Sequence, residues 1–222
     1  MESMSELPLS AESVRGRPIA WKALALAWLM VTIAGFSMFF LHQSRPGARG
    51  HSPARWPAAS RVPRVPGQVE LLVFLHPNCP CSLAGVHALQ DILASIPMEN
   101  QPHTIFVVRP PARGQWQVRH LLAEAASTPN ASFFRDELEE ESVRFGAQVS
   151  GHVLLYDQEG NLLFDGGVTS ARGHEGGSAA GDRLRNVLSG NHSHRIQTPV
   201  FGCALRSRVS APAERKTSCA LR

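Results

Sequence analysis

Residues 69–96 read VELLVFLHPNCPCSLAGVHALQDILASI, and this stretch decides the fold class. Val69–Leu75 is a short apolar run of the kind a buried central strand shows, stopped by the breaker pair His76-Pro77. From Ser82 to Ile96 the apolar residues Leu83, Val86, Leu89, Ile92, Leu93 and Ile96 follow helical spacing, and Pro97 closes the pattern. Between strand and helix lies Pro77-Asn78-Cys79-Pro80-Cys81-Ser82. A thiol at a helix N-terminus meets free backbone N–H groups and a partial positive charge, which favour thiolate over thiol. Two cysteines one residue apart can close a disulfide, but the small ring containing Pro80 is expected to be strained and therefore oxidising.

Downstream, His103–Val108 predicts a second strand, stopped by Pro110-Pro111, and Gln115–Ala126 a helix. Asp136–Phe145 reads as a short charged helix whose acidic run, residues 136–141, is a solvated face. Gly151–Tyr156 predicts a strand that turns through Asp157-Gln158-Glu159-Gly160 into Asn161–Phe164, a hairpin signal. A last amphipathic helix around Gly181–Leu188 would cover one sheet face. The expectation is an α/β domain over residues 68–206, four or so strands with helices on both sides.

Upstream, Ala23–Leu41 (ALALAWLMVTIAGFSMFFL) is 19 residues without a charge, about 28 Å as a helix, long enough to span a bilayer core. No small-x-small cleavage site follows it, so it reads as an uncleaved anchor after a cytoplasmic stub at residues 1–22. Positive charges flank it on both sides, and charge alone does not orient it. The short N-terminal stub, the large distal domain and the cysteine motif favour a single-pass protein of the inner (cell) membrane with its C-terminal domain extracytoplasmic, periplasmic in a bacterium. Residues 42–67, rich in Pro and Arg without apolar periodicity, read as an extended linker, and residues 207–222 as a loose basic tail containing Cys219.

The net charge of +4 belongs to the chain ends. Residues 1–67 carry eight Lys/Arg against three Asp/Glu and residues 207–222 four against one, whereas residues 68–206 carry ten against fourteen. A nucleic-acid partner is thereby disfavoured. There is no P-loop, dinucleotide fingerprint or Ser/His/Asp order.

At the cysteine turn the chain resembles the thioredoxin-like superfamily, and is similar to its membrane-anchored bacterial RedB-type group. HPNCPCS at 76–82, SGHVLLYDQEGNLLF at 150–164, GGVTSARGHEG at 166–176 and TPVFGC at 198–203 carry the resemblance. It implies a thioredoxin-like sandwich, a central mixed sheet flanked by helices, and thiol-disulfide exchange with protein thiols or disulfides as partners and no bound cofactor. Cys79 would attack, as the more exposed thiol nearest the strand end; Cys81 would resolve the mixed disulfide, and Pro80 would restrict the turn. Thioredoxins separate their cysteines by two residues, so Ser82 is the alternative third-position partner of Cys79. They also carry a cis-proline where Ser150-Gly151-His152 stands.

Further candidates surround the turn. Cys203 is a resolving thiol, a metal ligand or an isolated core cysteine. In the glycine-punctuated loop, Arg172 could stabilise a thiolate and His174 act as acid/base, or Arg172 and Glu175 could simply pin the loop by an ion pair. Cys79, Cys81 and His76, with Cys203, also form a soft ligand set for copper or zinc, the alternative reading as a carrier or assembly factor. A third reading is an anchored interaction module with inert cysteines.

Overall fold

The structure is a computed structural model that describes residues 17–110, 115–191 and 194–206. The expected stub up to residue 16, the tail from residue 207 and Cys219 lie outside the described residues. The chain divides into two compact units, at His42/Gln43. In the first, helix α1 (Arg17–Gln43) contains the expected 23–41 segment, and its Ala20–Gln43 portion is long and apolar enough to cross a membrane.

The second unit is built on a six-stranded mixed sheet in the order β3-β2-β1-β4-β5-β6. The strands are β1 (Glu70–Leu75), β2 (His103–Val108), β3 (Ala131–Arg135), β4 (His152–Tyr156), β5 (Leu162–Gly166) and β6 (Ile196–Gln197). β1, buried at every position, is central: it pairs parallel with β2 and antiparallel with β4, in a register that sets Phe74 against Val107 and His152. β4 and β5 form the expected antiparallel hairpin.

Helices α2 (Pro80–Ala94), α3 (Gln115–Ala126) and α5 (Ala179–Leu188) occupy one face of the sheet. Val86, Leu89, Ile92, Leu121, Leu184 and Val187 pack there on Leu71, Val73, Phe106 and Val153. The parallel connections β1-α2-β2 and β2-α3-β3 step the same way across the sheet, and the right-handed rule for such crossovers then puts both helices on the same side. The opposite face, around Leu72, Phe74, Ile105, Phe145, Leu154 and Tyr156, receives the short helix α4 (Glu140–Arg144) and, among the described residues, no long helix.

What completes that second face corrects the linker expectation. Residues 43–67 are an extended strap packed onto the domain. Gly47 N–H donates to Val200 O (2.8 Å), Leu162 N–H to Ala54 O (2.9 Å) and Trp56 N–H to Gly160 O (2.8 Å). The Trp56 ring meets Phe145 and Tyr156 edge-on at centroid distances of 5.2 and 5.3 Å, and Val62 is buried. Where the strap crosses the approach to β4, Gly50 and Gly146 lie so close that a Cβ on Gly50 would stand 1.8 Å from Gly146 O. A strap over a sheet face needs only isolated anchors, so it leaves no apolar period in the sequence.

Two other expectations change. The run at 136–141 is not simply a solvated helix face: Asp136 and Glu141 are buried. Asp136 accepts from the backbone N–H groups of Glu141 (3.0 Å) and Ser142 (2.8 Å), and Glu141 holds the strap through Ser60 Oγ (2.8 Å) and Arg61 N (3.2 Å). The strands β3 and β6 were not foreseen; β3 is a five-residue edge strand with little buried surface and β6 has two residues.

Candidate thiol site

The site lies at the C-terminal end of β1, where functional sites of open α/β sheets collect. Cys79 is the N-cap of α2 and Pro80 opens its first turn, a position where the missing N–H leaves no acceptor unsatisfied. The turn is fastened from the opposite loop by a serine that the sequence offered only as a departure from thioredoxin. Ser150 Oγ accepts from His76 N–H (2.8 Å) and lies 2.7 Å from Ser82 Oγ, which itself donates to His76 O (2.8 Å). Ser82 and Ser150 are fully buried. Ser82 is therefore part of a clasp, not a partner facing a substrate.

Next to Ser150, Gly151 has a φ of +84° and donates its N–H to Phe74 O (2.8 Å), turning the chain into β4. On its other side Ser150 N–H donates to Cys203 O (2.8 Å), a bridge joins Val149 to Ala204, and Leu205 N–H donates to Gln148 O (2.9 Å). This short pairing carries Cys203 to the cysteine turn, where Cys203 N–H donates to Cys79 Sγ at 3.4 Å.

All three described cysteines, Cys79, Cys81 and Cys203, are free thiols. Cys79 is 4% exposed and Cys81 is half-buried, which reverses the expected order of exposure. The cause is the N-cap position, which turns the Cys79 side chain toward the segment carrying Cys203. Burial opposes charge on Cys79, but hydrogen bonds from the Cys203 thiol and N–H, and from Cys81, hold its pKa below the ordinary thiol value. Burial and the neighbouring Cys79 charge push Cys81 up, against a hydrogen bond from Gly173 N–H and the charge of Arg172. Burial and the Cys79 thiol push Cys203 up to about 12.

The glycine-punctuated loop thus does return to the site. Arg172 donates through Nη1 to Gly202 O, bracing the segment that carries Cys203, and Glu175 Oε1 meets His87 Nδ1 on α2 at 3.2 Å. The anticipated Arg172/Glu175 pinning is replaced by these two separate contacts. His174 is exposed and joins no thiol. His76 is half-buried, its pKa lowered by burial and then by the Arg109 charge, and its Nδ1 accepts from Asn78 N–H (3.2 Å). Among the described residues no group of three or more His, Cys, Asp or Glu side chains is arranged to hold a metal ion. Beside Cys79, Pro77, Pro80, Leu83, His120 and Leu121 line an open groove of about 380 Å³.

A central β1 running into the cysteine turn and α2, a parallel β2, an antiparallel β4–β5 hairpin and a closing helix against α2 together make the thioredoxin arrangement. The fold is thioredoxin-like. Solved structures share it: a hypothetical protein from Sinorhizobium meliloti is 19% identical over 73% of this chain and 96% of its own, with a TM-score of 0.50. An uncharacterized conserved protein from Geobacillus kaustophilus is 18% identical over 76% of this chain and 95% of its own, with a TM-score of 0.53. A more distant match is the thioredoxin domain of a thiol-disulfide oxidoreductase from Bacteroides vulgatus, 15% identical over 66% of this chain and 96% of its own, at a TM-score of 0.38. No family model and no curated protein matches the chain. Relative to the plain thioredoxin-like core, this domain adds β3 at one edge, the strap on one face, and the C-terminal segment that supplies Cys203.

Proposed function

We propose that the chain is a membrane-anchored thiol-disulfide oxidoreductase acting on protein thiols or disulfides. Cys79 is the attacking thiolate and Cys81 the thiol within the turn that releases the mixed disulfide. The observation that carries the reading is the placement of Cys79 Sγ at the start of α2, 3.4 Å from the Cys203 N–H that donates to it. Both features stabilise negative charge on sulfur and so populate the nucleophile near neutral pH. The groove beside Cys79 is lined by Pro77, Pro80, Leu83 and Leu121, and suits an apolar residue flanking the partner's cysteine.

In the exchange, the Cys79 thiolate attacks one sulfur of a substrate disulfide, forming a mixed disulfide and releasing a substrate thiolate. Cys81 then attacks Cys79, closing the Cys79–Cys81 bond and passing its proton to the second substrate thiolate. The substrate disulfide is reduced by two electrons and the turn is oxidised; run backwards, the same steps oxidise a substrate dithiol. The apolar helix α1 would anchor the domain, and an extracytoplasmic location, as in the RedB-type proteins it resembles, would suit a disulfide-forming site. No organic cofactor or metal takes part. The test is exchange of the full chain, in detergent micelles, with oxidised glutathione and a disulfide-bonded peptide. Cys79→Ser should abolish exchange, and undiminished exchange in that variant would overturn the reading.

A further inference from the structure

The contact between Cys203 and Cys79 does more than stabilise a thiolate. The segment bearing Cys203 is fixed in place by four hydrogen bonds: Gly47 N–H on Val200 O, Arg172 on Gly202 O, and the two that make the Val149–Ala204 bridge, Ser150 N–H on Cys203 O and Leu205 N–H on Gln148 O. At Gly202 the approach is so close that a Cβ would stand 2.0 Å from Ser150 O. The chain has thus built a third thiol into the site from 124 residues away, on the side of Cys79 facing the loop before β4. The Cys203 N–H donates to Cys79 Sγ at 3.4 Å, so the backbone that carries the Cys203 thiol is held directly against the sulfur it would attack.

We infer that Cys203 is a redox thiol of this site, which forms a Cys79–Cys203 disulfide alternative to Cys79–Cys81. The inference rests on the exchange reading above and adds a second exit from the mixed disulfide. Cys203 sulfur attacks Cys79 sulfur, the bond to the substrate sulfur breaks, and the proton of Cys203 goes to the departing substrate thiolate. The two disulfides interconvert without net oxidation: Cys81 sulfur attacks Cys79, the bond to Cys203 breaks, and the proton moves from Cys81 to Cys203. A dithiol reductant returns either form to three free thiols. The high proton affinity of Cys203 fits a thiol that waits protonated while Cys79 carries the charge.

The test uses the full chain in detergent micelles, a disulfide-bonded peptide as probe, and acid quenching followed by tryptic peptide mass mapping. Peptide 65–113 carries Cys79 and Cys81, and peptide 196–206 carries Cys203, so a bond between the two regions is read as a linked pair. Cys81→Ser should still discharge the probe and end with the 65–113/196–206 linkage. Cys203→Ser should end with the bond inside 65–113. Only the double variant Cys81→Ser/Cys203→Ser should accumulate the Cys79–probe adduct, by at least tenfold over either single variant. Accumulation in Cys81→Ser equal to that of the double variant, with wild type lacking the linked pair, would overturn the role of Cys203 and leave the exchange reading standing. No adduct in any variant that retains Cys79 would overturn both.

Discussion

Replacing Ser150 with Ala should loosen the cysteine turn without touching a cysteine, and the structure sets the size of the effect. The hydroxyl accepts from His76 N–H at 2.8 Å and meets Ser82 Oγ at 2.7 Å, where neither serine reaches solvent. Ser150→Ala leaves the half-buried His76 N–H without its acceptor and the buried Ser82 hydroxyl without its partner, which costs about 1–3 kcal/mol. For a domain of this size that is a fall in Tm of about 2–12 °C. Ser82 keeps its bond to His76 O, so Ser82→Ala added to Ser150→Ala removes less than it does alone. The double variant should therefore cost about 0.5–1 kcal/mol less than the two single changes added together. The assay is denaturant unfolding of the full chain followed by near-ultraviolet circular dichroism. A loss below about 0.5 kcal/mol for Ser150→Ala, the range of neutral surface changes, would refute the clasp.

Three other outcomes are expected. In a pH series of alkylation resolved by mass spectrometry, Cys79 should titrate below an ordinary thiol and Cys81 and Cys203 above it; Gly202→Ala, which cannot keep Cys203 N–H on Cys79, should move the Cys79 midpoint upward, and an unmoved midpoint contradicts the stated cause. The buried Asp165 accepts from His152 Nε2 (2.7 Å), Ser52 Oγ (3.1 Å) and Arg195, and, although burial alone would raise its pKa, these partners hold it well below the usual carboxylate range. The stability it contributes is present above its unfolded value of about 3.9 and declines as pH falls below that; Asp165→Ala should cost about 3–5 kcal/mol at pH 7 and abolish that acid slope, and an identical slope in both proteins contradicts the assignment. Trp56→Ala should release the strap at a cost of about 2 kcal/mol, so that tryptic cleavage after Arg61 accelerates about 30-fold; an unchanged rate would mean that the ring does not hold the strap.

The sheet centre and the cysteine turn were legible because they obey short-range rules. An apolar run ending at His76-Pro77, then Leu83, Val86, Leu89 and Ile92 at helical spacing, placed β1, α2 and the thiols between them. The hairpin was legible from Asp157–Gly160, whose turn is closed by Gly160 N–H on Asp157 O. What escaped has no local signature. Trp56 and Val62 are single apolar residues among prolines and arginines, yet they cover a sheet face. Ser150 looks like any loop serine until His76 and Ser82 arrive from 74 and 68 residues away. The exposure of Cys79 was misjudged for the same reason: distance from the strand end says nothing about which segment covers the sulfur, and the covering segment is residues 202–203. Cys203 was a candidate from its residue type alone, and only the pairing of Val149–Ser150 with Cys203–Ala204 gives it a place.

That pairing also imposes an order on biosynthesis. At about 5–20 residues per second, the 124 residues between Cys79 and Cys203 take about 6–25 seconds to translate, and α2 with its two cysteines emerges long before the segment that covers them. Throughout that interval the nascent chain offers Cys79 only Cys81 as an intramolecular partner among the residues made so far. Under oxidising conditions a newly made chain is thus biased toward the short-range bond. The contact of Cys203 with Cys79 can form only after the ribosome has passed residue 203 and residues 203–205 have paired with residues 148–150.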